Sequence, residues 1–402
     1  MHDRRPPGNV QLMKQMNRAA ILQLLRDQGQ LSRAALAELT ALSKPSISAL
    51  VDELIQEGWI REVGIGESSG GRRPILLEIN AEGFAIVGAV FEGTGLELAV
   101  SDLNGELLAE KHVVIKGDAT GGQILDEFEG KIRSFLHEAR VNYDRVLGIG
   151  VGLPGVTRRG SGIISFSPST GWNDWPVLDE LEKRFSLPVF LDNDVNLMAL
   201  GEFYKGAGYG VQNLVYMHVG TGIGAGIILN GQLFRGFSEA AGEIGYMVVG
   251  NPDKRNHREY GVFEGNYSAL ALLERAASDP NLKLLLDENS TSAGVIKKLT
   301  ELSDVSPEAN GLLQEVCLHW SYGIANIVCV LNPELVILGG DMVHIGDCGL
   351  KLIQDSLSRL VPIVPELKFA ELGDRGGVVG AVFHVLEADR SLSGKLGGTT
   401  VS

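Results

Sequence analysis

The sequence predicts an α/β protein in two parts: a mainly helical head over residues 1–80, and a body over residues 81–402 made of two α/β lobes with a cleft between them. Three observations carry this. Strands followed by helices run in order once from Phe84 and again from Asn213, while two short helices, each behind a serine and joined by a three-residue turn, precede them. Charge divides at the same place, since residues 1–74 hold 10 Lys/Arg against 8 Asp/Glu and the remainder holds 25 against 42, in a chain of net charge −15. An acidic body under a mildly basic head points to two functions.

A chain of 402 residues is long enough for two to four compact units, and 44% apolar with 21% charged residues is a globular composition. No apolar run approaches the ~18 residues of a membrane span, and Met1 to Pro7 leads into no apolar core of a signal peptide, so a cytoplasmic protein is expected. Cys317, Cys329 and Cys348 show no paired spacing. His319 and His344 lie near two of them, but a closed zinc site needs four ligands, so buried free thiols are expected.

In the head, Leu12 to Leu25 turns Ile21, Leu22 and Leu25 to one helical face. Ser32 is a good cap for a second helix, Arg33 to Leu39, with Leu36 and Leu39 inward. After Thr40-Ala41-Leu42, Ser43 caps a third helix with Pro45 in its first turn, where a missing N–H costs little. Ile47, Leu50, Val51, Leu54 and Ile55 form its inner stripe; Lys44, Ser46, Ser48 and Asp52 lie opposite. This is the helix-turn-helix pattern, in which small hydroxyls let a helix enter the major groove while Lys44 and the helix N-terminus meet phosphate. Trp59–Val63 and Ile75–Ile79 read as strands flanking a wing, Gly64 to Pro74, whose arginines Arg72 and Arg73 suit a narrow minor groove. The plainer reading is a small tri-helical packing module followed by a linker.

In the body, Phe84–Phe91, Leu96–Val100 and Leu107–Ile115 read as strands. A helix with Ile124, Phe128, Ile132 and Phe135 inward follows, then the strand Val146–Val151. The second unit starts with Leu214–Val219, Ala225–Leu229, the turn Asn230-Gly231 and Gln232–Arg235. A long helix, about Pro307 to Leu331, precedes the strand Leu335–Leu338 and Gly339-Gly340, and the tail 391–402 reads as disordered.

The stretch with the most chemistry is Leu187 to Glu202. A short strand, Pro188–Leu191, meets a helix starting near Val195, so Asp192, Asn193, Asp194 and Asn196 fall at a strand-to-helix turn. An amide beside a carboxylate there can grip adjacent sugar hydroxyls. The same residues also suit a helix cap by Asn193 or Asp194.

Together these segments resemble the ROK family (repressors, open reading frames and sugar kinases), in its branch with an N-terminal winged helix. The likeness rests on Ser32-Arg33, Leu42-Ser43-Lys44 and Gly71-Arg72-Arg73-Pro74 in the head, and in the body on Asp192-Asn193-Asp194, Gly220-Thr221-Gly222-Ile223-Gly224-Ala225-Gly226, Ala241-Gly242-Glu243-Ile244-Gly245, and Asn332-Pro333-Glu334 before Gly339-Gly340. It implies a winged helix-turn-helix joined to a two-lobed actin-like, ribonuclease H-like sugar kinase fold. Residues 81–195 would form one lobe, joined by a returning helix at about 373–390, and residues 196–372 the other.

By that resemblance Asn193, Asp194, Glu243, Tyr246 and Glu264 line a sugar site, with Asp194 at the general-base position of the kinases. Gly220, Thr221, Gly222 and Gly224 match a phosphate turn. The kinases' first phosphate turn, Asp-x-Gly-Gly-Thr, here reads Val90-Phe91-Glu92-Gly93-Thr94, placing an apolar residue and an extra anion where phosphoryl transfer needs charge neutralisation. No catalysis is therefore expected. The family's zinc ligands fall on Tyr246, Arg255, His257 and Val262, so no metal or other cofactor is expected either. The resemblance implies a homodimer or homotetramer that binds operator DNA through Arg33, Lys44, Ser46, Ser48, Arg72 and Arg73, responds to a sugar or sugar phosphate, and does not enter membranes. Its most frequent mode is repression relieved by sugar. A sugar kinase tethered to DNA, using Asp194 as base, and a plain oligomerisation scaffold are the alternatives.

Overall fold

The computed structural model describes residues 8–66, 73–92, 95–115, 121–158, 162–166, 174–250, 261–283 and 291–392. The head is α1 (Gly8–Gln28), β1 (Leu31–Ser32), α2 (Arg33–Thr40), α3 (Lys44–Glu57), β2 (Ile60–Ile65) and β3 (Ile75–Ile79), its strands ordered β1-β3-β2 and antiparallel. Local chemistry accounts for the helix starts. Ser32 Oγ accepts the Ala35 N–H at 3.1 Å and Ser43 Oγ accepts the Ser46 N–H at 3.3 Å, while Pro45 sits in the first turn of α3. Ile21, Leu36, Ile47, Val51 and Leu54 are fully buried between the three helices. Leu39, expected inward, is 49% exposed. In a helix of only eight residues, the inward face is already filled by Leu36 and Ala37.

The body repeats one topology. Its first sheet comprises β4 (Ala85–Glu92), β5 (Gly95–Ser101), β6 (Leu107–Val114), β7 (Val146–Leu153) and, after the hairpin β8 (Val156–Arg158) and β9 (Ile163–Phe166), β10 (Val189–Asn193), in the order β10-β7-β4-β5-β6. Helices α4 (Gly121–Glu138) and α5 (Val177–Phe185) cover one face, where Phe128, Ile132 and Phe185 are fully buried. The second sheet comprises β11 (Leu214–Val219), β12 (Ile223–Leu229), β13 (Gln232–Leu233), β14 (Leu335–Gly340) and β15 (Glu366–Phe369), in the order β13-β12-β11-β14-β15. Helices α7 (Glu264–Tyr267), α8 (Ala269–Ser278), α9 (Pro280–Lys283), α10 (Ser292–Leu302), α11 (Pro307–Leu331) and α12 (Gly346–Leu360) build its outer core around Trp320. Both sheets pair their first three strands antiparallel and their last two in parallel.

Two helices link the sheets. These are α6 (Asp194–Lys205), which leaves β10, and the returning helix α13 (Arg375–Leu392). They pack on each other, α6 also against β12 and α13 against β4 and β7. Glu202, 1% exposed, ties the junction by accepting the N–H groups of Ala207, Glu371 and Leu372 at 2.8–3.0 Å. Of the tail 391–402 expected to be disordered, Ser391 and Leu392 belong to α13, and residues 393–402 lie outside the described residues.

No free linker separates head from body. Trp59, Ile60 and Leu77 share a core with Ile86, Leu103, Val382 and Phe383. The Trp59 ring lies 4.2 Å from that of Phe84, Asn80 Nδ2 donates to the Gly58 carbonyl at 3.0 Å, and Arg145 Nη1 donates to the Glu57 carbonyl at 2.7 Å. Arg145 also stacks over Phe84, 5.3 Å from the ring centre. The last turn of α3 is thus held by the first sheet's lobe.

The thiols differ from expectation. Cys317 is buried, but Cys329 and Cys348 are exposed, because they fall on the outward faces of α11 and α12. No helix among the described residues is long and apolar enough to cross a membrane.

Candidate functional site

In the head, Lys44 and Ser46 stand exposed at the open end of α3. Ser46 shares a 2.8 Å hydroxyl hydrogen bond with Ser43, and Ser48 is half-buried one turn on. Arg73 is exposed and Arg72 lies outside the described residues. Arg33, expected among the DNA contacts, is engaged within the head. Its guanidinium donates to Asp52 and to Glu62, both at 2.8 Å, stapling α2 to α3 and β2. Those two carboxylates flank it from different elements, and a phosphate would have to displace them.

The expected sugar site begins where β10 becomes α6. Asn193 is the N-cap of α6: its Oδ1 accepts the N–H groups of Val195 at 2.9 Å and Asn196 at 3.2 Å, and its Nδ2 donates to the Gly155 carbonyl at 3.2 Å. The helix cap and the residue expected at the sugar site are therefore the same side chain. Asp194 Oδ1 accepts the Val195 N–H at 2.9 Å. Asp194 keeps a little accessible surface but is densely surrounded, and burial pushes its carboxyl up to about 6.

The second sheet brings two more carboxylates to the same place. Gly242, at φ 95°, approaches the strand so closely that an added Cβ would lie 1.9 Å from the Ala225 carbonyl oxygen, which seats Glu243 beside β12. Burial, then the charges of Glu264 and Asp194, pushes Glu243 up to about 7. Its carboxylate has no hydrogen-bond partner among the described residues. Glu264 accepts the Gly261 N–H at 3.2 Å and the Ile223 N–H at 3.3 Å, and burial raises it too. Tyr246, 47% exposed, follows Glu243 on the same short 3₁₀ turn. Asn193, Asp194, Glu243 and Glu264 thus form an acceptor-rich cluster suited to a polyol, whose hydroxyls need acceptors once water is excluded.

The glycine segment divides in two. Gly220, Thr221 and Gly222 form the turn between β11 and β12, closed by the Gly220 N–H donating to the Gly222 carbonyl at 2.9 Å. Gly224, expected in that turn, lies inside β12, where an added Cβ would meet Val195 of α6 at 3.3 Å. Its lack of a side chain serves strand-to-helix packing. Beneath the turn, burial pushes the His218 imidazole down to about 4, so it offers a neutral ring and no positive charge.

At the first phosphate segment, Val90 is 2% exposed and packs with Leu197 and Val378, and Phe91 joins the first sheet's outer core. Gly93, Thr94 and the side chain of Glu92 lie outside the described residues. Of the four positions matching zinc ligands, Arg255 and His257 also lie outside them; Val262 is a buried apolar side chain, and with Tyr246 it makes no zinc donor set.

Reading the sequence missed the roles of Asp192, Arg235 and His384. They meet directly behind the Asn193-Asp194 turn, with Arg235 contributed by the other sheet. The motif offered Asp192 as a signal, but nothing local reveals a partner 43 residues away.

The ROK family profile matches residues 87–388, and a profile for winged helix-turn-helix DNA-binding matches residues 17–61. A putative xylose repressor of Caldicellulosiruptor sp. (strain Rt8B.4) is 32% identical over 391 residues, 94% of this chain and 97% of that one. A glucokinase of Halalkalibacterium halodurans is 30% identical over 319 residues, 76% of this chain and 96% of that one. The crystal structure of a ROK family transcriptional regulator homologous to the E. coli MLC protein superposes with a TM-score of 0.78 at 24% identity, over 96% of this chain and 98% of that one, which shows a shared fold. With a family match over most of the body and a relative alignable nearly end to end, the chain belongs to the ROK family and carries a winged helix-turn-helix head.

Proposed function

We propose that this protein is a sugar-responsive transcriptional repressor of genes for carbohydrate uptake or breakdown, acting in the cytoplasm on operator DNA. The observation that carries the reading is the continuity between its parts. The α3 helix shares a core and an Arg145 contact with the lobe whose last strand ends in Asn193. Two or four subunits would present their α3 helices to successive major grooves, about 34 Å or a multiple apart on a pseudo-palindromic site. A sugar bound by Asn193, Asp194, Glu243 and Glu264, with Tyr246 at the rim, would favour one separation of the sheets and so one spacing of the heads. Its effect on DNA equals its differential affinity for the two arrangements.

In this reading the protein is not an enzyme and holds no zinc. Val90 is packed in a core and Glu92 adds an anion, so the first phosphate turn lacks what phosphoryl transfer requires. Asp194 nevertheless favours a second reading, because a carboxyl pushed up to about 6 in a cleft is suited to taking a proton. ATP-dependent phosphorylation of a sugar, lost in Asp194→Asn, would establish that reading.

The DNA role is tested by fluorescence anisotropy with duplexes selected from a random pool, over a salt series. Affinity should fall steeply with salt, and Lys44→Ala, which removes one exposed phosphate partner, should lower the logarithmic salt slope by about 1. Affinity that is flat in salt and unchanged by Lys44→Ala would overturn α3 as the recognition helix.

A further inference from the structure

Behind the sugar-type turn lies a polar junction that the proposed chemistry does not use. Asp192, the penultimate residue of β10, is 3% exposed. Its two oxygens are divided. Oδ1 accepts the Asn193 N–H at 2.8 Å and Asn196 Nδ2 at 2.9 Å, fixing the turn and the first residues of α6. Oδ2 receives two nitrogens of a single guanidinium, Arg235 Nε at 2.8 Å and Nη2 at 2.6 Å.

Arg235 belongs to the other half of the body. It follows β13, the edge strand of the second sheet, and its backbone is held there: the Phe234 N–H donates to the Ile227 carbonyl at 2.8 Å, and the Ala241 N–H donates to the Arg235 carbonyl at 3.1 Å. A third element closes the group, with His384 of α13 placing Nε2 3.4 Å from Arg235 Nη2 and 3.9 Å from Asp192 Oδ2. His384 Nδ1 is buried without a hydrogen-bond partner, and the ring also meets Phe190 edge-on. Glu239 lies farther off, 3.7 Å from Arg235 Nε.

We propose that Arg235 is a positioning residue for the cleft, holding the Asn193-Asp194 turn from the opposite sheet through Asp192 and so tying ligand affinity to the separation of the two sheets. The carboxylate is buried, and if the sheets move apart it loses its charge partner, which is costly for a desolvated group. The guanidinium matches this task because one planar fork reaches the carboxylate and the imidazole together. This inference rests on the proposed ligand site only for its sugar consequence; the control of the turn stands without it.

The test compares the full-length wild type with Arg235→Gln and Arg235→Lys, first without ligand and then with D-xylose, D-glucose or N-acetylglucosamine as probes. In Arg235→Gln, amide exchange at Asn193, Val195 and Asn196 should speed up by ~10-fold or more, while β11 stays as protected as in wild type. Arg235→Lys, which keeps charge but not the fork, should recover part of that protection. Any probe that binds wild type should bind Arg235→Gln ~10-fold or more weakly. Unchanged exchange at the turn together with unchanged probe affinity would overturn the proposal, as would loosening spread equally over β11 and the turn. A turn that loosens selectively supports it even where no probe binds wild type, an outcome that counts instead against the sugar reading.

Discussion

Above neutral pH, Glu243→Gln is expected to be more stable than wild type and yet to bind sugar far more weakly. Glu243 is pushed up to about 7 from 4.5 by burial and by the nearby Glu264 and Asp194 charges. Between those values the folded protein keeps a proton that the unfolded chain has lost, so stability falls as pH rises through the window and the full cost is present above about 7. Glutamine removes that cost, and a gain of about 1–3 kcal/mol is expected there. Below about 4.5, where wild-type Glu243 is protonated in both states, the two proteins should melt together. The ligand feels the opposite sign, because a sugar hydroxyl donating to the ionised carboxylate loses a charged hydrogen bond of about 2 kcal/mol, roughly 30-fold in affinity. Wild-type affinity should likewise fall as the pH drops through about 7 and protons compete. Thermal melts and calorimetric titrations across pH check both halves. A variant that is no more stable, or that binds as wild type does, would remove Glu243 from the cleft chemistry.

Trp59→Ala should destabilise the protein by about 3–5 kcal/mol, the usual cost of removing a buried aromatic side chain. Trp59 is 5% exposed, lies against Phe84, and has its backbone bonded to Leu54 and Asn80, so it is the point where the head meets the first lobe. Urea denaturation measures the loss. A change below about 1 kcal/mol would mean the joint is not packed as described. Arg145→Ala is the milder companion. It removes the bond to the Glu57 carbonyl and the stack on Phe84 while leaving the three-helix core of the head intact. It should cost about 1 kcal/mol in stability but reduce the response of DNA affinity to sugar by more than it reduces DNA affinity itself.

What could be read from the sequence was the chemistry that acts within a few residues. Ser32 and Ser43 cap helices because a serine hydroxyl reaches an amide three residues on, and Pro45 falls in the first turn of α3 as expected, whereas Gly64, read as the start of the wing, lies inside β2. The Asn193 cap was legible for the same reason. What escaped depends on partners far along the chain. The pairing of Arg33 with Glu62, which arrives from a strand 29 residues later, has no local signal. Gly224 belongs to a glycine run that reads as one turn, yet the turn closes at Gly222 and the strand resumes. The Asp192–Arg235–His384 junction joins three elements across both sheets, and neither periodicity nor spacing encodes it. The shared core at Trp59 was hidden likewise, because a short strand after a helix can equally end a free-standing module.

The most direct measurement is the affinity of the full chain for a selected duplex with and without a saturating sugar, taken from those that raise its melting temperature. A sugar-responsive regulator should change its DNA affinity by roughly 5-fold or more, the lower range of ordinary coupling between sites, and Mg-ATP added with that sugar should yield no sugar phosphate. A sugar that binds tightly and leaves DNA affinity unchanged, or that is phosphorylated at a catalytic rate, would contradict the account.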